Sequence, residues 1–273
     1  MQLLWFLLLV IGFECNTVYR TRWPKYVQKR HFNPPIQPLD YCNGNLCPNG
    51  TKHITCGIRF WGPKCGNDHK GIVLTHLRDD ILKSLNDFRR KVIRGLPGLP
   101  KALKLPSISW DEELSVIAMR VSNQCFDRSN PSCVNTFRYE KVGESSDFVT
   151  LAKKSKDFNA LNFFSMWFQY YKRLTPAHVY SFPDVAPDDK LRLFSNLIYQ
   201  KNRKMGCGML KSKGKLFFTC LFNRRIKANA TLYQTEKDVI ARLKKQKERA
   251  LVQSNLVTKE TSETSANMNV SLV

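Results

Sequence analysis

The side chains able to move protons, attack a carbonyl or hold a metal are few in this chain and widely spaced. Glu144, in Gly143-Glu144-Ser145, has the most suggestive neighbourhood. It closes a stretch from Trp110 that contains an amphipathic segment and two cysteines, Cys125 and Cys133, eight residues apart. A carboxylate can serve as a general base or as a metal ligand. The first role needs a positioned proton partner with a matched pKa, and the second needs further donors in a defined geometry. The five histidines, His31, His53, His69, His76 and His178, do not supply those partners by spacing. No H-E-x-x-H, G-x-S-x-G, C-x-x-C or phosphate-binding glycine loop occurs. Only His178, in a loop after an aromatic segment, is placed to approach a cleft near Glu144.

The cysteines point to structure rather than catalysis. There are nine. The first fifteen residues, MQLLWFLLLVIGFEC, are apolar from Leu3 to Phe13, too short for a bilayer span and fitting the apolar core of a signal peptide. Residues 1–16 are therefore assigned to a signal peptide, with Cys15 in the cleavage zone. The remaining eight cysteines, an even number behind such a segment, read as a disulfide framework. Spacing alone leaves 105 pairings open. Secretion also makes Asn49, Asn229 and Asn269, each heading an N-x-S/T triplet, glycosylation acceptors.

The elements that would position these groups follow from periodicity. Residues 17–40 form a basic, proline-bearing lead-in, and residues 41–69 a cysteine-rich segment too polar to bury much. Leu77, Ile81, Leu85, Phe88 and Val92 mark a helix over Thr75–Arg94, with Thr75 as cap and Gly95 as stop. Asp111 is the expected N-cap of a second helix whose stripe runs Leu114, Ile117, Ala118, Val121 and on to Cys125. An aromatic helix is expected over Phe158–Leu174. Leu193–Tyr199 reads as a strand. Met205–Leu210 and Lys215–Phe222 read as a hairpin through Lys211–Gly214, placing Cys207 beside Cys220. A bridge there would contribute about 3 kcal/mol in the chain-entropy model. A basic helix is expected from about residue 236 to Val252, followed by a disordered Ser/Thr-rich tail to residue 273.

Three pieces of the chain together resemble the CAP superfamily of cysteine-rich secretory, antigen 5 and pathogenesis-related proteins. They are LNDFRRKVIRG at 85–95, ISWDEELSVIAMRVSNQC at 108–125 and GCG at 206–208. Four cysteines before the first helix and Leu-Tyr-Gln-Thr at 232–235 make the insect antigen 5 branch the nearest likeness. The resemblance spans Tyr41–Thr235. It implies an α/β fold of the α+β kind, a three-layer α-β-α sandwich stabilised by disulfides. It also implies the pairs Cys42–Cys56, Cys47–Cys133, Cys65–Cys125 and Cys207–Cys220.

The resemblance further implies a cleft in which two histidines and two glutamates bind a divalent metal in several members. Those four positions fall here on Asn130, Glu144, Tyr170 and Leu193. Asn130 stands for the histidine of H-D-x-C, Tyr170 for the glutamate of W-x-x-E, and Leu193 for the histidine of G-H-Y-T-Q. Only Glu144 is kept. Asn, Tyr and Leu cannot rebuild an imidazole-rich ligand set around one carboxylate. The expectation is no catalytic residue, no metal and no cofactor.

A formal charge of +22 and a pI near 9.8 bound the partners. For an extracellular chain this balance favours polyanions and acidic proteins over nucleic acid. No later stretch is apolar and long enough to span a bilayer. The expected activity is that of a secreted, non-catalytic interaction protein whose partner is an extracellular protein or polyanion. The alternative is a lipid or sterol carrier using Phe163, Phe164, Trp167 and Phe168, and a hydrolase is the third reading.

Overall fold

The computed structural model describes residues 40–270 apart from 43, 49, 128–131 and 152–156, with side chains described to residue 254. The segment expected to be a signal peptide, the lead-in up to residue 39, Asn49 and Asn130 lie outside the described residues, as does the side chain of Asn269.

The cysteine-rich segment contributes two short strands, β1 (Lys52–His53) and β2 (Lys70–Ile72). A 3-10 turn, Thr75–Leu77, leads into α1 (Arg78–Arg94). Thr75 is not the cap: Leu77 occupies that position without a side-chain bond, and Asp79 and Asp80 complement the N-terminal dipole instead. Gly95 ends α1 at φ +115°, its N–H on the Lys91 carbonyl. Ile81, Leu85 and Val92 are buried, and so is Arg89. Its guanidinium donates to the carbonyls of Pro106, Leu197 and Tyr199 and ties three segments together.

After β3 (Ser109–Trp110), Asp111 caps α2 (Glu112–Ser122) by accepting the Leu114 N–H at 3.0 Å. The expected stripe is buried through Val121, but the helix stops at Ser122. Cys125 does not continue it: Cys125 and Phe126 turn into the left-handed region at φ +50° and +62°. β4 (Ser132–Cys133) pairs with β1. β5 (Gly143–Thr150) is an eight-residue strand that periodicity did not reveal.

The aromatic helix α3 (Ala160–Gln169) is shorter than expected. Asn159 and Asn162 form its capping box, and a 3-10 turn over Tyr170–Arg173 follows. α4 (Pro176–Tyr180) precedes α5 (Lys190–Ile198). The expected strand at 193–199 is thus a helix. Asp189 starts it by accepting the Leu191 N–H at 2.7 Å. Every residue from Arg192 to Ile198 is buried, so no polar interval exposed the helical period.

β6 (Lys204–Ser212) and β7 (Lys215–Phe222) form the expected hairpin, tightened to a Lys213-Gly214 turn with both residues at positive φ. The sheet order is β2-β6-β7-β5, with β3 parallel to the start of β6. α2 covers one face, and α1, α3 and α5 the other, giving the three-layer α-β-α sandwich. The G-C-G motif has a packing role. A Cβ at Gly206 would collide with backbone at Asp111–Ser115, and one at Gly208 with backbone at Ala118–Met119. Bare glycines let α2 sit directly on β6, where Ser115 and Ser122 bond the carbonyls of Cys207 and Gly208.

Four disulfides join Cys42 to Cys56, Cys47 to Cys133, Cys65 to Cys125 and Cys207 to Cys220. Two of them fasten the cysteine-rich segment to the region after α2, and the last links directly opposed residues of the hairpin. A polar network reinforces that attachment. Tyr41 donates to Glu113 at 2.6 Å, and Arg138 bonds both Asp111 and Glu113. α6 (Glu236–Val270) continues past Val252, where composition placed a disordered tail; its side chains are largely exposed over the described part. Among the described residues no helix is long and apolar enough to cross a membrane.

Candidate functional site

β5 is the outer strand of the sheet, and a cleft of about 420 Å³ opens beside it. Glu144 lines this cleft, half-buried, and accepts the Ser146 hydroxyl at 2.6 Å. Ser146 is in turn within 3.0 Å of the Thr219 hydroxyl on β7. From the helical side, the buried Asn196 of α5 donates to the Glu144 carbonyl at 3.0 Å and to the Ser145 hydroxyl at 2.9 Å. The backbone that carries Glu144 is therefore locked to α5.

Asn130 lies outside the described residues, and the two other positions implied by the resemblance, Tyr170 and Leu193, do not join it. Leu193 is 1% exposed and belongs to the main core. Tyr170 packs at the end of α3, with the Lys190 ammonium 5.5 Å from its ring centroid. Burial, and then the negative charge of Asp147, push its phenol pKa up. His178 is absorbed in α4, where its ring nitrogen accepts the Thr175 N–H, and it does not line the cleft. His53 is buried beneath Tyr41, and His69 stacks near Trp61. Of the glycosylation acceptors, Asn229 is exposed in a tight turn at φ +61° and accepts from Ser181.

Two cleft residues were not singled out from the sequence. Asp147 accepts the Trp167 indole N–H at 3.0 Å and the Phe148 N–H at 2.8 Å, and burial raises its pKa. Arg192, beside the core leucine, sends its guanidinium toward the cleft. It bonds the carbonyls of Val185 and Ile226 and pairs with Asp184 at 3.4 Å. Arg225 lines the same cleft. Their signals in the sequence were faint: Asp147 lies three residues past Glu144, and Arg192 is the residue next to the position of the lost histidine.

The donor set of the described cleft residues does not fit a divalent metal. Among the described residues no three of His, Cys, Asp and Glu gather as ligands. A buried leucine and a phenol stand where an imidazole and a carboxylate would be needed, and the cleft carboxylates of Asp127, Glu144, Asp147 and Asp184 share the cavity with the guanidinium groups of Arg192 and Arg225. What the cleft offers is a mixed polar and apolar surface, with Phe126 and Phe217 on its walls.

The comparisons with known proteins agree with this architecture. The family model of the CAP group, the cysteine-rich secretory protein family, matches residues 82–222. Tabinhibitin 3 of Tabanus yao is 30% identical over 204 residues, covering 72% of this chain and 79% of that protein. Antigen 5 like allergen Cul n 1 of Culicoides nubeculosus is 28% identical over 194 residues, covering 67% and 88%. The solved structure of NaASP2 with Zn2+ superposes with a TM-score of 0.50 at 16% identity, over 63% of this chain and 90% of that one, which speaks for the fold alone. The cleft beside β5, the glycines under α2 and these matches lead to one assignment: the chain belongs to the cysteine-rich secretory protein (CAP) family, in its antigen 5-like branch.

Proposed function

We propose that this chain is a secreted, non-catalytic interaction protein that engages acidic partners outside the cell, with the sandwich as a rigid display scaffold. The observation that carries this reading is the cleft's donor set. Glu144 is held by Ser146, no imidazole lines the cleft among the described residues, and no three of His, Cys, Asp and Glu gather there as a ligand set. Four disulfides suit an oxidising compartment. The +22 charge supplies long-range attraction to polyanions and acidic proteins. The two basic segments outside the sandwich, residues 17–40 and 237–249, are the first expected carriers of that attraction.

Retention on immobilised heparin, eluted with a sodium chloride gradient, tests the polyanion reading. Elution well above the salt needed for a neutral control supports it, and passage in the void volume ends it. Under the hydrolase reading, Glu144→Ala would abolish a reproducible activity while leaving the fold intact; the expected outcome is no activity to lose. The lipid-carrier reading draws no support from Phe163, Phe164, Trp167 and Phe168. All four are buried, and the first three pack against Phe218 of the sheet. Saturable lipid binding by the delipidated protein would revive it.

A further inference from the structure

The charge is not spread evenly. From Lys190 to Thr235 the chain holds eleven Lys and Arg and no Asp or Glu. The hairpin topology sorts many of these to its open end. Gly143 of β5 and Met205 of β6 both pair with Phe222 of β7, so the residues flanking those three come together. Hydrogen bonds fix the arrangement. Asn223 Oδ1 accepts the N–H groups of Arg203 and Lys204. The Arg225 N–H bonds the Lys141 carbonyl at 2.6 Å, and its Nε donates to the Val142 carbonyl at 3.1 Å. Lys141, Lys201, Arg203, Arg224, Arg225 and Lys227 are exposed, and Lys204 is half-exposed. Among the described residues none of these seven cations forms an ion pair.

A second cleft, about 630 Å³, opens at this end of the sheet. Lys141, Arg225 and Lys227 line it against one acid, Glu140, and the exposed ring of Phe137 forms part of its wall. Arg225 is pre-oriented by its two backbone bonds, so little side-chain freedom is lost when an anion arrives. Cations on a concave wall, an aromatic face able to lie against a sugar ring, and a rim continuing to Arg224 suit a chain with repeated fixed anions. A flat lipid surface would not reach into the concavity.

We propose that the open end of the β6–β7 hairpin, centred on Lys141, Arg225 and Lys227, is a binding site for sulfated polysaccharide. The proposal rests on the polyanion reading above and moves its main contact from the flanking segments onto the sandwich.

The full-length secreted protein is tested against immobilised heparin, chemically desulfated heparin, and phosphatidylserine-containing vesicles, with inorganic sulfate as competitor. The variants are Lys141→Ala/Lys227→Ala, the charge reversal Lys227→Glu, and Lys244→Gln/Lys245→Gln/Lys247→Gln in α6. The site predicts that the first two weaken heparin binding by about tenfold or more at physiological salt and flatten its salt dependence. The α6 variant stays within about twofold. Desulfated heparin should bind weakly, and sulfate at equal ionic strength should compete no better than chloride. Unchanged melting temperatures, expected for exposed lysines, keep the comparison clean. Loss of binding in the α6 variant alone overturns the site while leaving the polyanion reading in place. Vesicle binding in preference to heparin, equal binding of desulfated heparin, or displacement by free sulfate also overturns it. A wild-type protein that ignores heparin defeats the broader reading as well.

Discussion

Asn196 Nδ2 donates to the Glu144 carbonyl, joining the centre of α5 to the one cleft carboxylate that matches the family pattern. The same amide nitrogen bonds Ser145, and the Asn196 carbonyl accepts from Asn202. The position of Glu144 is thereby maintained by buried structural bonds that require no chemistry in the cleft. Asn196→Ala removes both bonds, one of them to the buried Ser145 hydroxyl, a loss of about 1–3 kcal/mol. Urea denaturation should show a midpoint lowered accordingly with an unchanged slope. A variant as stable as the parent would mean that the strand is held by something else.

The contact between α2 and β6 leaves no room for a methyl group at Gly208. Gly208→Ala forces the helix off the strand and is expected to cost about 1–3 kcal/mol, as overpacking does. The control is Gly214→Ala in the hairpin turn. Nothing lies within 4 Å of a Cβ there, but its φ of +64° strains any other residue, so a smaller loss of backbone origin is expected. Thermal melts of the two variants that lose equal stability would contradict the close-packing account.

Acid should loosen the cysteine-rich segment. His53 is buried with Nε2 2.9 Å from the Asn135 carbonyl, while Nδ1 receives the Thr55 N–H, which defines a neutral ring. Burial lowers its pKa against the opposing bond to the Asn135 carbonyl, with the Arg120 charge adding to the lowering and Glu113 opposing it. The folded value lies below the unfolded one. The ring's contribution is therefore complete above about pH 6.5 and declines as pH falls from there through the folded pKa. The urea midpoint should drop between pH 7.5 and pH 5, and His53→Gln should drop less. An identical drop in both proteins would assign the effect elsewhere.

Closing the hairpin with Cys207–Cys220 spans thirteen residues. Replacing both cysteines by alanine should cost about 3 kcal/mol on loop entropy. Because the two lie on paired strands already fixed by the sheet, near-native circular dichroism should persist. Loss of the folded spectrum would mean that the bridge is needed to form the sheet as well as to stabilise it.

The legible parts of the sequence were those with a single apolar face. α2 announced itself through Asp111 and the Leu114–Val121 stripe, and β7 through an apolar run from Leu216 to Phe222 broken only by Thr219. α5 did not, because both of its flanks are buried, and its one clear signal was Asp189 at the cap. β5 stayed hidden for the opposite reason. Ser145 and Ser146 are buried through hydrogen bonds, so the strand lacks the apolar alternation that marks one. Glu144 was legible from the motif around it. Arg192 and Asp147 were not, since what makes them cleft residues is a helix whose type had been misread and the far side of an edge strand.

The central proposal is that the CAP scaffold here surrounds a cleft whose described residues form no metal site. Calorimetric titration of zinc into the wild-type protein and Glu144→Ala tests it most directly. The expected result is the same weak, unsaturating heat for both proteins, from scattered surface ligands. A one-to-one, saturable zinc site in the wild type that disappears in Glu144→Ala would contradict the account.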